Sequence, residues 1–257
     1  MNEKYSKLNT MDTLIEDFKA LGLEPGMTVL CHSSLKSIGF VNGGPQAVVD
    51  ALMAVLTEEG TLAMPTHSAE LTDPKDWENP PVPEEWWQEI RDTMPVFDPE
   101  TTPTFEMGKI VDTFRAYPNV SRSHHPHYSF AAWGKHAAYL TENQPLDFGL
   151  SDFLEKVYQL DGHVLMLGTN YENNTSLHLA ESHGNLRGVI EEGYPSPIGW
   201  ATCKDLDWND QHFETIGAES EAKGIIKLGN VGIGVSKFMK QRELVDFGAA
   251  WLREKSS

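Results

Sequence analysis

Cysteine is scarce in this chain of 257 residues, which carries two, Cys31 and Cys203. They form no C-x-x-C pair, which argues against a metal ribbon or a dithiol redox motif and fits a reducing cytoplasm. Long apolar runs are missing too. The segment Met1 to Lys7 leads into no apolar stretch, so no signal peptide is expected, and no run is long enough to span a bilayer. Positive charge is in short supply: 20 Lys and Arg stand against 38 Asp and Glu, a formal charge of -18. Nucleic acids and anionic membranes call for Lys and Arg, so neither is an expected partner. Acidic clefts concentrate cations, which favours a cationic small molecule, although an acidic surface also serves solubility alone. Several catalytic signatures are lacking. There is no G-x-S-x-G elbow, no Walker loop and no G-x-G-x-x-G turn, since the glycines of Gly229 to Gly234 have the wrong order of spacings.

What is present is an ordinary globular composition, 40% hydrophobic and 23% charged, sufficient for a sizeable core. Helical spacing runs from Thr10 to Leu21, closed by Gly22. Thr28 to His32 reads as a strand, Pro45 to Leu56 as a helix and Gly60 to Pro65 as a second strand, an order that suggests a parallel βαβ unit. Further helices are expected at 107–117, 153–158 and 243–252, with strands at 130–133 and 164–167. Residues 69–104 are rich in Pro, Trp and acids without an apolar period. Residues 185–224 are acidic and irregular, with strand-like pieces such as Trp200 to Cys203. The fold class is α/β: one domain over 1–257, with a central mixed, partly parallel sheet flanked by helices and the two acidic excursions completing a cleft.

Three segments carry candidate chemistry. Val164 to Gly168 reads as a buried strand, followed by a polar loop and a helix with Thr175 as its N-cap. His178 and Glu181, three apart, then share a helix face, and an imidazole beside a carboxylate at the mouth of a strand suits a general base. A core histidine with a satisfied hydrogen bond is an equal reading. Residues 32–45, from His32 to Pro45, join a strand to a helix through small residues whose N–H groups can approach a ligand, which suits phosphate as well as a plain capped turn. His124, His125 and His127 crowd a Pro-containing loop. Their spacing matches no zinc helix and no Cys or acid adjoins them in sequence, so no metal is expected there.

Taken in order, these stretches resemble the aminoglycoside 3-N-acetyltransferase family, distinct from the GNAT fold. The resemblance rests on His32-Ser33-Ser34-Leu35 with Gly39, Val41 and Gly43-Gly44, and on Gly60 to Thr66. It continues with Phe97-Asp98-Pro99, Arg122 to Pro126, Ser129 to Ala132, and Leu165 to Gly168 leading to Thr175-x-x-His178. It implies acetyl-CoA as cosubstrate and acetylation of the 3-amino group of 2-deoxystreptamine antibiotics, conferring resistance. His32, Ser33, Ser34, Leu35 and Gly43 then belong to the cofactor loop, with Val41, Thr66, Ser129 and Phe130 lining the pantetheine channel. His178 is the base, with Glu181 orienting it, and Asp98 and Tyr171 face the acceptor. Ser151-Asp152-Phe153 departs from the Ser-Pro-Leu of many members and leaves the choice of antibiotic open. Acetyl transfer to a different amine is the alternative, and a binding module that sequesters cationic drugs is the non-enzymatic one.

Overall fold

A computed structural model describes residues 5–78 and 80–255. The first four residues of the N-terminal segment read above lie outside this range. A seven-stranded mixed sheet forms the centre, in the order β10-β11-β7-β2-β4-β6-β5. Here β2 is Thr28–Ser33, β4 Thr61–Pro65, β5 Ser121–Arg122, β6 Phe130–Gly134, β7 His163–Leu167, β10 Ile226–Val231 and β11 Gly234–Lys240. β2 lies between β4 and β7 and runs parallel to both, and the remaining neighbours are antiparallel.

Both faces of the sheet are buried, so its central strands read as continuous apolar runs. The period of two still sorts them. Val29, Cys31, Leu165 and Leu167 pack with helices α1 (Met11–Leu21), α2 (Gly44–Leu56) and α4 (Lys109–Phe114). Leu30, Val164 and Met166 pack on the other face with α5 (Ala137–Thr141), α6 (Gly149–Gln159), α7 (Ser176–Gly184), α8 (Phe213–Ala222) and α9 (Gln241–Lys255). Phe130 of β6 stacks on Phe153 of α6 with centroids 3.7 Å apart. His32 is in phase with Leu30, which turns its side chain toward the face that carries α7.

The second excursion differs from expectation. It holds a regular antiparallel hairpin, β8 (Val189–Ser196) with β9 (Gly199–Leu206), followed by α8. A two-stranded ribbon exposes much of its surface, so its strands carry acids where buried strands carry Val or Leu, and the apolar signal is weak. The first excursion is irregular apart from 3-10 turns and α3 (Trp87–Thr93), and Asp73 in it accepts hydrogen bonds from Arg91 at 2.6 and 3.1 Å. The helix expected at 107–117 shrinks to Lys109–Phe114, and that at 153–158 lengthens to Gly149–Gln159. Among the described residues, no helix is long and apolar enough to cross a membrane.

Candidate active site

The parallel trio β4-β2-β7 ends at one edge, where ligands of α/β sheets gather. β7 stops at Gly168, whose φ of +68° suits glycine, and a Cβ there would meet the Ser37 Cβ at 2.7 Å. That close approach lets Ser34 N donate to Leu167 O at 2.9 Å and folds residues 34–37 over the strand end. The result is a cavity of about 820 Å³.

Of the residues expected at the cofactor, His32, Ser33, Ser34, Leu35 and Val41 line this cavity, and Gly44 lines it where Gly43 does not. Thr66, Ser129 and Phe130 do not: all three are fully buried. Thr66 Oγ1 and Ser129 Oγ lie 3.0 Å apart and both accept from Arg122 Nε. Pro65 and His67, the residues flanking Thr66, supply the wall instead. Thr169 lines it from the loop after β7, and Met107, Gly108, Lys109 and Val111 line it from a segment that no sequence signal had tied to residues 32–35. Ser33 Oγ, His67 Nε2 and Thr169 Oγ1, on residues of this lining, are buried and have no hydrogen-bond partner in the protein. Burial holds the imidazoles of His32 and His67 neutral, the first near 4 and the second, which also feels neighbouring imidazoles and Arg122, near 3.

Thr175 also lines the cavity. It occupies the N-cap position of α7 as expected, but its backbone is helical and its hydroxyl makes no capping hydrogen bond. Asn174 Oδ1 accepts from Ser176 N instead, leaving Thr175 Oγ1 3.4 Å from His32 Nε2. One turn on, His178 Nδ1 lies 2.7 Å from Glu181 Oε2. Glu181 is 1% exposed, and its other oxygen accepts from Arg187 Nε at 2.6 Å and from Nη2. Asn209 N approaches Oε2 at 3.5 Å. A carboxylate clamped by a guanidinium accepts only, so Nδ1 carries a hydrogen toward Glu181 and the ring turns Nε2 away from it. Trp208 and Phe213 hold the ring at centroid distances of 5.0 and 4.8 Å. Sequence reasoning found the pair and missed Arg187, six residues beyond Glu181 at the end of the same helix-to-strand turn.

The residues expected at the acceptor are engaged elsewhere. Tyr171 is 4% exposed; its hydroxyl bonds Glu221 and its ring fills the space over Gly217 of α8, where a Cβ would come within 2.2 Å. Asp98 is exposed but turned on its own backbone, accepting from Glu100 N and from Thr101 N and Oγ1, bonds that with His124 hold its carboxyl below the usual range. Of the clustered histidines, His125 shapes its loop: Nδ1 accepts from His127 N and Tyr128 N, and Nε2 faces Leu146 O.

An imidazole backed by a clamped carboxylate, one turn from a large cavity at the ends of parallel strands, is equipment that suits a group-transferring enzyme. Residues 30–253 match the family model described as aminoglycoside 3-N-acetyltransferase, and the chain belongs to this family. It is 47% identical over 249 residues to the SPbeta prophage-derived aminoglycoside N(3')-acetyltransferase-like protein YokD of Bacillus subtilis (strain 168), covering 94% of this chain and 92% of that protein. The crystal structure of YokD superposes with a TM-score of 0.95 at 45% identity, over 99% of this chain and 97% of that one. Aminoglycoside N(3)-acetyltransferase VII of Streptomyces paromomycinus is 34% identical over 96% of this chain and 92% of its own length. A structure of AAC-IIIb, a binary complex with CoASH, matches at a TM-score of 0.81 and 26% identity, over 97% of this chain and 98% of that one.

Proposed function

We propose that this chain transfers the acetyl group of acetyl-CoA to the 3-amino group of a 2-deoxystreptamine aminoglycoside, with His178 as general base. The observation that carries this reading is the His178 Nδ1 to Glu181 contact at 2.7 Å, which leaves Nε2 free to accept a proton one turn from the cavity. The cavity suits the cosubstrate. Leu35, Val41, Pro65 and Val111 offer an apolar wall, while Lys36 and Lys109 offer ammonium groups. α2 begins at Gly44, behind Gly43 at the N-cap and with no side-chain cap, so its first N–H groups are available to phosphate oxygens. The CoASH complex of AAC-IIIb supports the same assignment.

An amine attacks a thioester only as the free base. His178 Nε2 removes the proton as nitrogen bonds to the carbonyl carbon, the C–S bond breaks, and the imidazolium returns the proton to the departing thiolate. Glu181 keeps the ring in the required tautomer and balances its positive charge. Neither cysteine is needed: Cys31 is fully buried, and burial raises its thiol to about 12. Transfer is therefore direct, within a ternary complex.

His178→Ala lowers thiol release by about 10²–10⁴-fold with acetyl-CoA affinity retained. The measurement is thiol release across several aminoglycosides, with the acetylated position read by NMR. Near-normal turnover in this variant removes His178 from the mechanism. The engagement of Asp98 and Tyr171 elsewhere favours a second reading, in which the same base and cavity serve a different amine. Thiol release with simple polyamines, and none with any aminoglycoside, selects it.

A further inference from the structure

Besides the base and the cavity, the loop before β6 and the β8–β9 hairpin bring together a second polar cluster, made by residues that do not line the cavity. Glu192 and Cys203 face each other across the antiparallel pair. A ring nitrogen of His127, a carboxylate oxygen of Glu192 and the Cys203 Sγ all lie within 4.8 Å of one another. His127 is 2% and Cys203 4% exposed. His127 Nδ1 is 3.2 Å from Glu192 Oε2, while its Nε2 has no partner. Tyr128 donates its hydroxyl to Glu192 Oε1 at 2.8 Å. Asp205, two residues beyond Cys203 on the same strand, is fully buried and interacts electrostatically with Glu192 and His127. Among the described residues, no Lys or Arg forms an ion pair with Glu192 or Asp205.

We propose that His127, Glu192 and Cys203 bind a zinc-like divalent metal ion. Nitrogen, oxygen and sulfur donors together are the set that borderline cations accept. Charge balance favours it, because a dication with one thiolate, one carboxylate and a neutral imidazole has no net charge and is the cheapest ionic arrangement to bury. Metal–ligand bonds of about 2.0–2.3 Å bring donors within about 4 Å of each other, a small closure of the existing triangle. Loading involves no redox change: the ion displaces the Cys203 proton to buffer and takes the thiolate, His127 binds through a lone pair, and water fills the fourth position. Burial and the neighbouring carboxylates raise the Cys203 thiol to about 12, so the ion and not the solvent has to drive that proton off. Tyr128 fixes the second carboxylate oxygen. The sequence around 124–127 contains no Cys or acid; the fold delivers both from residues 65 and 76 positions downstream of His127. The ion fastens the hairpin to the β6 loop and takes no part in acetyl transfer.

The test uses untagged full-length protein, stripped with a chelator, dialysed and titrated with Co²⁺. The expected result is one ion per chain with a near-ultraviolet thiolate-to-cobalt charge-transfer band, bleached by Zn²⁺, and a rise in Tm on adding Zn²⁺. The band is lost in Cys203→Ser and kept in Cys31→Ala. Glu192→Gln, which keeps the shape of the side chain, weakens Co²⁺ binding by about tenfold or more. Absence of a charge-transfer band in folded wild-type protein, a band that survives Cys203→Ser, or unchanged affinity in Glu192→Gln overturns the proposal. None of these readouts depends on acetyl transfer, so they stand or fall apart from the proposed function.

Discussion

Arg122 and Arg187 place the same guanidinium at the edge of the interior and use it in opposite ways. Arg122 gives its donors to neutral oxygens: the side chains of Thr66, Ser68 and Ser129 and the carbonyls of Thr66, Pro99 and Thr102. No carboxylate takes them, and burial lowers the group to about 10 against the partial support of Asp98. Arg187 turns to one carboxylate oxygen, that of Glu181, and to the carbonyl of Asn209. A cation shared among neutral acceptors ties segments together and fixes a shape. A cation on a single carboxylate fixes its charge and orientation, which leaves the other oxygen to hold a base. Charge alone does not distinguish framework from chemistry here; what the charge faces does.

The largest effect expected on the framework side is that of Arg122→Ala. It strands several buried acceptors at once, each costing about 1–3 kcal/mol, for a loss on the order of 3–5 kcal/mol in denaturant unfolding. Arg122→Lys recovers little of it, because an ammonium lacks the planar fork. A variant that kept its Tm but lost turnover would move Arg122 to the chemical side and break the contrast. Arg187→Gln comes next. It costs less stability, since Glu181 keeps His178 and Asn209 N as donors, and lowers kcat by about 10–100-fold as an orienting contact does. The KM for acetyl-CoA stays unchanged. A higher KM at constant kcat would make Arg187 a binding residue instead.

The same contrast explains which parts of the molecule were readable in the sequence. His178 and Glu181 are three residues apart on one helix, and residues 32–35 are contiguous, so helix periodicity and local motif suffice for both. Thr66 was misplaced by a single residue. Strand alternation turns Thr66 inward to Arg122 and leaves Pro65 and His67 on the cavity, a distinction that depends on which face of β4 looks outward. Lys109 and Thr169 reach the cavity through tertiary packing, and Cys203 reaches His127 through the register of a hairpin whose polar strands resemble a loop. Asp98 looked available because a motif shows composition; the backbone donors that occupy its carboxylate follow from a turn geometry that composition does not show.

The smallest effect expected concerns imidazoles of the framework kind, and it sharpens the contrast with His178. Burial holds His32 and His125 near 4 and His67 near 3, against 6.5 for the exposed group. Between about pH 6.5 and pH 4 the unfolded chain therefore binds protons that the folded one refuses. Stability rises with pH wherever the unfolded state holds more protons, so it is complete above about 6.5 and lost on acidification, at about 1.4 kcal/mol per pH unit for each imidazole. Asp205 acts in the other direction. Burial raises it to about 7 from 3.8, so between those values the folded state holds the extra proton and offsets one imidazole. Urea midpoints measured from pH 7 to 4.5 at constant ionic strength give the net slope. His125→Asn flattens that slope by about one imidazole's share, 1.4 kcal/mol per unit, whatever its cost in absolute stability. An unchanged slope would mean that His125 takes up its proton in the folded loop as readily as in the unfolded chain, and would leave His32 and His67, at the wall of the cavity, as the imidazoles that carry the acid sensitivity.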